Sequence, residues 1–476
     1  MHLEATAAKQ PPSRRAVVIG GGLAGLAAAE SLVAAGWRVT VVEASGRLGG
    51  VIETVRRDGW LVERSADNFL AARPEGTALV ERLGLSAQLI GVEPRVRRAL
   101  ILHRGRPVPV PAGFRLLAPG RLASILTTPL LSPAGRLRVA AERLLPRGKG
   151  GDESLERFAV RRLGREAFER LVQPLVAGIW TADPAKLSMA AACPEFLEME
   201  RRAGSLSAGE RLRLRSTGAA AQAAGARYGQ FVTLATGMET LPRELGRQLA
   251  AAGVEFLTAS VDRLERADGG WRVHRRPTGD GAAPLETEAV VVAVPAPTAA
   301  TIAGSADREL AALLGGIEYA GSAVVSLGFA RADVAHPLDA AGIVVPRIEG
   351  RRILAASFSS SKFPGRAPER HVLVRTFVGG ALDPDAAALD DEPLTALVRR
   401  ELADVIGARG VPKLVQIDRW TRAMPQYHVG HMERVAAIKR RLEGIPGLAI
   451  AGAAYEGVGI PQTIASGQAA AAKLLR

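Results

Sequence analysis

A single cysteine, Cys193, stands among 476 residues. That scarcity excludes an internal disulfide framework and any metal site built on clustered thiolates, and it suits a reducing compartment. The opening stretch MHLEATAAKQPPSRR lacks the apolar centre of a secretory signal and reads as a short mobile tail. Uncharged runs fall short of the roughly 20 apolar residues a spanning helix needs, and prolines interrupt them. The run Ala289 to Ala306, for example, opens as a strand and breaks at Pro295 and Pro297. Internal repeats are missing. So is any His, Cys or Ser constellation suited to nucleophilic or metal catalysis, and no metal site is expected.

Acid is scarce as well, with 48 Asp and Glu against 62 Lys and Arg and a formal net charge of +14. Nearly all the cations are arginine in an Ala- and Gly-rich chain, so coding bias accounts for part of the excess. Its distribution carries more information. Between Arg95 and Lys149 stand twelve Arg or Lys and one acid, Glu142, together with apolar stretches such as Leu122 to Gly135. A basic and apolar surface suits an anionic membrane face or an anionic ligand. With 47% hydrophobic and 23% charged residues the chain is a folded globular protein, and its length points to two or three domains.

The clearest local pattern is AVVIGGGLAGLAAAESLVAAGWRVTVVEASGRLGG, Ala16 to Gly50. Ala16 to Ile19 is a buried parallel strand by composition. Gly20, Gly22 and Gly25 follow with GxGxxG spacing: one for the tight turn, one for close approach of a pyrophosphate, one for helix packing. A helix from about Leu23 to Ala35 would offer its N-terminal amides to phosphates, and a second strand, Arg38 to Val42, ends at Glu43, placed for a ribose diol. This arrangement predicts a dinucleotide site; the alternative is a βαβ unit with no ligand. After Glu43 and Ala44 the chain continues through Arg47 to Gly49 and Gly50. Arg47 offers a cation to a phosphate pair and the glycines permit close backbone approach, unless the segment is a plain surface turn.

The tail xxRxGG resembles the extended fingerprint of the amine oxidase and phytoene desaturase class of FAD proteins. In that class the C-terminus returns to form a second wall at the flavin end. GLAIAGAAYEGVGIPQTIASGQAAAAKLL fits such a return: strand Leu448 to Ala451, a glycine loop, then a helix from about Thr463 to Leu475.

Between these ends, Phe231 to Leu249 reads as strand then helix, and Val254 to Phe256, Val261 to Leu264 and Trp271 to Val273 as short strands. Ala289 to Val294 reads as another buried strand. Ser322 to Phe329, Gly342 to Val345, Ile353 to Phe358 and His371 to Val378 suggest a separate sheet that could roof a pocket. Ser154 to Ala192 has helical spacing, and Gly204 to Gly229 reads as a mobile loop.

Four blocks carry a more specific resemblance: DGWLVERSADNFLAARPEG, FAVRRLGREAFERLVQPLVAGIWTADPAKLSMAAACPEFLEMER, TGMETLPREL and AYEGVGIPQTIASG. In this order they resemble the oxygen-dependent protoporphyrinogen oxidase and coproporphyrinogen III oxidase family. The resemblance implies an α/β fold, with an FAD-binding Rossmann-like domain interleaved with a mixed-sheet substrate domain and an α-helical, membrane-contacting insert. The implied segments are 14–72, 225–300 and 419–476 for FAD, 73–110 and 301–418 for substrate, and 111–224 for the insert.

It further implies FAD held by Gly20, Gly22, Leu23, Ala24, Gly25, Glu43, Ala44, Arg47, Gly49, Gly50, Val261, Gly452, Val458, Gly459 and Ile460. Arg98 is implied to pair with a substrate propionate, Val344 and Phe377 to touch the macrocycle, and Ile179 and Trp180 to help wall the pocket. Where the family commonly has Gly-Pro this chain has Ser65 and Ala66; the following Asp67 is the catalytic candidate, for proton removal or for stabilising a cationic intermediate. The implied reaction is protoporphyrinogen IX oxidation in haem biosynthesis, with dioxygen as acceptor and hydrogen peroxide as product. The alternatives are coproporphyrinogen III oxidation, another FAD amine oxidase or desaturase, and a non-catalytic flavin-binding protein. Expected partners are a porphyrinogen, dioxygen and an anionic membrane surface, with no nucleic acid. A homodimer is one option, and the expected location is cytoplasmic, with peripheral attachment to the inner face of the cell membrane as the variant.

Overall fold

The computed structural model describes residues 14–148, 150–216, 230–277 and 283–476. Among them, strands Leu448–Ile450, Ala289–Val292, Arg15–Ile19, Arg38–Glu43 and Glu255–Ala267 lie side by side in parallel. Val17 to Ile19, Val41, Val42 and Val290 to Val292 are buried, as strands covered on both faces require. Glu255–Ala267 is one strand where two were expected. Its first half pairs with Arg38–Glu43 and its second half turns onto Gly270–Pro277, with a bulge between Val261 and Arg263.

Helices Leu23–Ala34 and Ile460–Leu474 each follow a parallel strand, so both open at the carboxyl edge of this cofactor sheet, where α/β folds hold ligands. They pack closely: a Cβ on Gly467 would lie 2.0 Å from the Ala24 carbonyl oxygen. The last helix starts at Ile460, ahead of the expected Thr463, because Pro461 in the first turn has no amide left unpaired and a φ already helical. Pro297 acts likewise. The expected break after the strand Ala289–Val292 is followed at once by helix Ala296–Ala303.

The second sheet runs Leu414–Pro425, Tyr319–Ala330, His371–Gly379, Ile353–Phe358, Gly342–Val344, Ala99–His103, Arg106–Pro109. Its alternation has a clear consequence. One face sends Val325, Leu327, Phe329, Ile343, Phe358 and Val374 into a cluster with Leu394, Val398 and Leu402 of helix Asp391–Ile406. The opposite face carries Val344, Ala355, Ser357, Arg375 and Phe377, which are cross-strand neighbours in the rows Val344–Ala355–Phe377 and Gly342–Ser357–Arg375.

A helical layer covers part of that second face. Its helices include Leu122–Thr127, Pro133–Ala140, Leu155–Leu163, Gln173–Trp180, Pro194–Ala203 and Leu206–Ser216, closing on Leu117, Ile125, Phe158, Leu171, Val176 and Phe196. Fully buried Arg162 donates to Glu142 (2.9 Å), Glu200 (3.2 Å) and the Gly204 carbonyl (3.0 Å). The one acid of the basic stretch is thus interior. Glu142 also accepts from Ser205 Oγ and the Leu206 amide, which anchors helix Leu206–Ser216 where a mobile loop was expected. Residues 217–229 of that expected loop, residues 1–13 of the expected tail and Lys149 lie outside the described residues. Among the described residues no helix is long and apolar enough to cross a membrane.

Candidate active site

The cofactor end is built by three turns at the carboxyl edge of the cofactor sheet. The Gly21 amide donates to Glu43 Oε2 (2.7 Å), and Ser45 donates to Glu43 Oε1 through its amide (2.8 Å) and hydroxyl (2.7 Å). The Gly49 amide donates to the Gly21 carbonyl (2.8 Å), so Gly20 to Gly25, Glu43, Ala44, Gly49 and Gly50 are gathered in one place. Helix Leu23–Ala34 has no side-chain cap at Gly22, which leaves its first-turn amides for an anion. The space fits a pyrophosphate: a Cβ on Gly22 would meet nothing nearer than Gly50 Cα at 3.9 Å. Val261 is buried in the neighbouring strand, just past the point where Thr258 pairs with Glu43.

Arg47 sits differently from its expected role. Its guanidinium donates to the carbonyls of Leu48 (3.1 Å), Ile52 (2.8 Å) and Gly50, and pairs with Glu53 at 3.4 Å. It therefore clasps its own turn, and through that turn the backbone that faces Gly22.

The C-terminal loop is fixed at several backbone points. The Gly452 amide donates to Ser466 Oγ (3.0 Å), and Tyr427 Oη donates to the Ala453 carbonyl and accepts from the Gly457 amide at 2.8 Å. Helix Ile460–Leu474 is uncapped at Gly459, so a second set of first-turn amides opens beside the first. Val458 packs against the helical layer's cluster, as do Val344 and Ile179, and Trp180 is part of that cluster. The expected macrocycle contact Val344, the expected pocket-wall residues and the expected flavin-side loop therefore meet at one apolar cluster.

At the other end of the same face lies a charged group. Ser65 Oγ donates to the Val51 carbonyl, which sets the Ser65–Asn68 segment beside the Gly49–Gly50 turn. Asp67 Oδ2 accepts from Lys362 Nζ (2.8 Å) and pairs with Arg375 Nη1 (3.3 Å). Lys362 also donates to Ser357 Oγ (3.2 Å), and Arg375 to the Ser65 carbonyl. Burial alone would raise the Asp67 carboxyl, but Lys362, Arg375 and Arg366 outweigh it and hold the group at about 2. Nearby Glu63 goes the other way: burial pushes it up despite the Met238 amide and the Thr54 hydroxyl that bond it.

Arg98 stands apart. Its guanidinium is engaged by the carbonyl (2.9 Å) and carboxylate of Asp339. It also acts on His336, whose ring packs against Phe358 of the opposite cluster. The structure therefore does not bring Arg98 to Val344 and Phe377. Lys362 and Arg375 supply the buried cations of this face instead. Sequence reasoning missed both, and a lysine in SSSKFPGR among so many arginines was the available signal for the first. Tyr427 was missed too, for want of any local pattern.

The profile of the family described as flavin containing amine oxidoreductase matches residues 23–475. This chain belongs to that family. It is therefore an FAD-dependent oxidoreductase, and the α/β fold and the cofactor expected from the fingerprint both hold. Within the family its similarity is to porphyrinogen oxidases. It is 34% identical to the coproporphyrinogen III oxidase of Bacillus subtilis (strain 168), over 97% of this chain and 98% of the relative. It is 36% identical to the coproporphyrinogen III oxidase of Propionibacterium freudenreichii, over 96% of this chain and 90% of the relative. A solved structure from Exiguobacterium sp. 255-15, provisionally named protoporphyrinogen oxidase, superposes with a TM-score of 0.84 at 30% identity, over 97% of this chain and 98% of that one.

Proposed function

We propose that this enzyme oxidises a porphyrinogen to the porphyrin, with coproporphyrinogen III as its substrate and protoporphyrinogen IX as the second reading. Six hydrogens leave in three two-electron rounds, and three dioxygen molecules depart as hydrogen peroxide. Bound FAD supplies the hydride acceptor in each round. The observation that carries the reading is the single apolar face bearing Val344, Ala355 and Phe377, bordered by Ile179 and Val458 and ended by the Asp67 group beside Gly50. A large apolar ring with charged arms calls for such a wall, apolar across its breadth and charged at its margin. Loss of hydride leaves a bridging carbon cationic. A carboxylate held at about 2 accepts protons poorly, so Asp67 is assigned electrostatic support of that cation, damped by its pairing with Lys362 and Arg375, rather than proton removal. Two relatives above 30% identity named coproporphyrinogen III oxidase favour that substrate over the protoporphyrinogen expected from the basic surface.

The test offers both porphyrinogens to the purified yellow protein in air and follows porphyrin fluorescence and peroxide against a no-enzyme control. Faster porphyrin formation from coproporphyrinogen III is the expected result. Faster formation from protoporphyrinogen IX selects the second reading. Rates no faster than autoxidation from both, with FAD bound, reject porphyrinogen oxidation.

Peripheral contact with an anionic membrane belongs to the same reading. Leu126, Leu137, Leu144 and Leu212 are exposed on the helical layer. Arg143, next to Leu144, is pushed down first by burial and then by Arg211, next to Leu212, so two cations lie close together here. Binding to phosphatidylglycerol vesicles at low salt, weakened by Leu144→Ser with Leu212→Ser, is expected in a flotation assay. Equal recovery from the vesicle-free fraction at every salt concentration refutes it.

A further inference from the structure

We infer that Tyr427 is the residue through which the helical layer positions the FAD-side glycine loop, so that cofactor retention and docking of that layer are coupled. The side chain is buried, and its one hydroxyl bonds two backbone groups of the loop, the Ala453 carbonyl at 2.5 Å and the Gly457 amide at 2.8 Å. These bonds fix both ends of the segment Ala453 to Gly457, immediately before Val458 and Gly459. His431 adds a third hold. Its ring stacks on Tyr427 at 4.0 Å and 12°, and its Nε2 lies 3.3 Å from the Tyr455 carbonyl. Burial pushes the imidazole down to about 4, so at neutral pH it is uncharged and donates through one nitrogen only.

The opposite side of Tyr427 belongs to the helical layer. Trp180, the last residue of helix Gln173–Trp180, packs on the ring at 5.1 Å. The Ser188 amide donates to the Tyr427 carbonyl (2.7 Å), the Val429 amide to the Lys186 carbonyl (2.9 Å), and Asp152 Oδ2 accepts from Ser188 Oγ (2.7 Å) and the Gly430 amide (3.3 Å). Segment 426–431 is thus a joint with one end in the helical layer and one phenol in the cofactor loop. Free of that phenol, a loop rich in glycine samples many conformations, and ordering it would fall to the cofactor. If the layer and the loop are linked through one residue, each must stabilise the other.

The test compares wild type with Tyr427→Phe, which keeps the ring and its packing and removes only the hydroxyl. FAD affinity is measured by titrating apoprotein, together with melting of the apoprotein and trypsin cleavage in the arginine-rich helical layer with and without FAD. The expected result is FAD binding weakened about 10-fold or more, because the cofactor must then order a loop that the phenol otherwise holds. Apoprotein melting should fall slightly, because the same two bonds hold the loop before FAD binds. FAD should slow cleavage of the layer in wild type and not in the variant. Unchanged FAD affinity overturns the inference. So does FAD protection of the layer that persists in Tyr427→Phe, because the joint would then run through other contacts.

Discussion

Gly25→Ala should yield a protein without bound flavin and with a lowered melting temperature, whereas Gly22→Ala should yield one that melts like the wild-type apoprotein yet also lacks flavin. The two glycines belong to one motif and fail for different reasons. At Gly25 an added Cβ would lie 1.9 Å from the Gly20 carbonyl oxygen, closer than non-bonded atoms can approach. Helix Leu23–Ala34 must then back away from strand Arg15–Ile19, and its buried face, Leu26, Ala27, Ala28 and Leu32, loses packing. At Gly22 φ is −73° and ψ 175°, ordinary extended backbone, and the protein alone leaves room for a methyl group. That room is what a bound pyrophosphate would take. The ratio of absorbance near 450 nm to that at 280 nm, with melting of both apoproteins, checks the pair. A Gly22→Ala enzyme that retains flavin as well as wild type would remove the phosphate from this turn.

Lys362→Met gives the second large effect. A hydrogen bond to a charged group contributes about 1.5–3 kcal/mol, so Lys362→Met should lose roughly that much stability near neutral pH, read as a lowered melting temperature. The pH dependence identifies the cause. In wild type Asp67 is held at about 2, below its ordinary 3.8, so its stabilisation is complete above about pH 4 and is lost as pH falls towards 2. Removing Lys362 leaves burial less opposed and moves the carboxyl upward. The variant should therefore show an acid limb in its activity profile at higher pH than wild type, and its loss of melting temperature should shrink as pH is lowered. Asp67→Asn by itself leaves Lys362 and Arg375 as buried like charges. Combined with Lys362→Met it should recover stability relative to either single change, by several tenths to a few kcal/mol of coupling. Additive losses in the double variant would show that the pair does not interact.

The glycine spacing, the β-branched runs and Glu43 announce the cofactor end because every requirement there is local. The turn, the uncapped helix and the diol acceptor lie within one βαβ unit, and the distant strands Ala289–Val292 and Glu255–Ala267 only flank it. The C-terminal wall was legible for the same reason, as a glycine loop between a short strand and a helix. Arg98 shows the limit of such reading. An arginine in a basic run resembles a propionate partner until tertiary structure places Asp339 beside it, a residue 241 positions away. Its face of the sheet depends on alternation relative to strands that no local pattern identifies.

Helix Leu206–Ser216 was hidden likewise, since its anchor is Glu142, on another element of the layer. What the chain determined by itself is the cofactor, the family and most of the strands and helices around the cofactor, written largely in contacts of short range. What only the tertiary structure decided is the charged end of the pocket, where Asp67, Lys362 and Arg375 meet from three separate segments, and the hold of Tyr427 on the flavin-side loop. Those groups interact because two sheets and a helical layer close on them, and burial is what turns their proximity into charge control and fixed geometry.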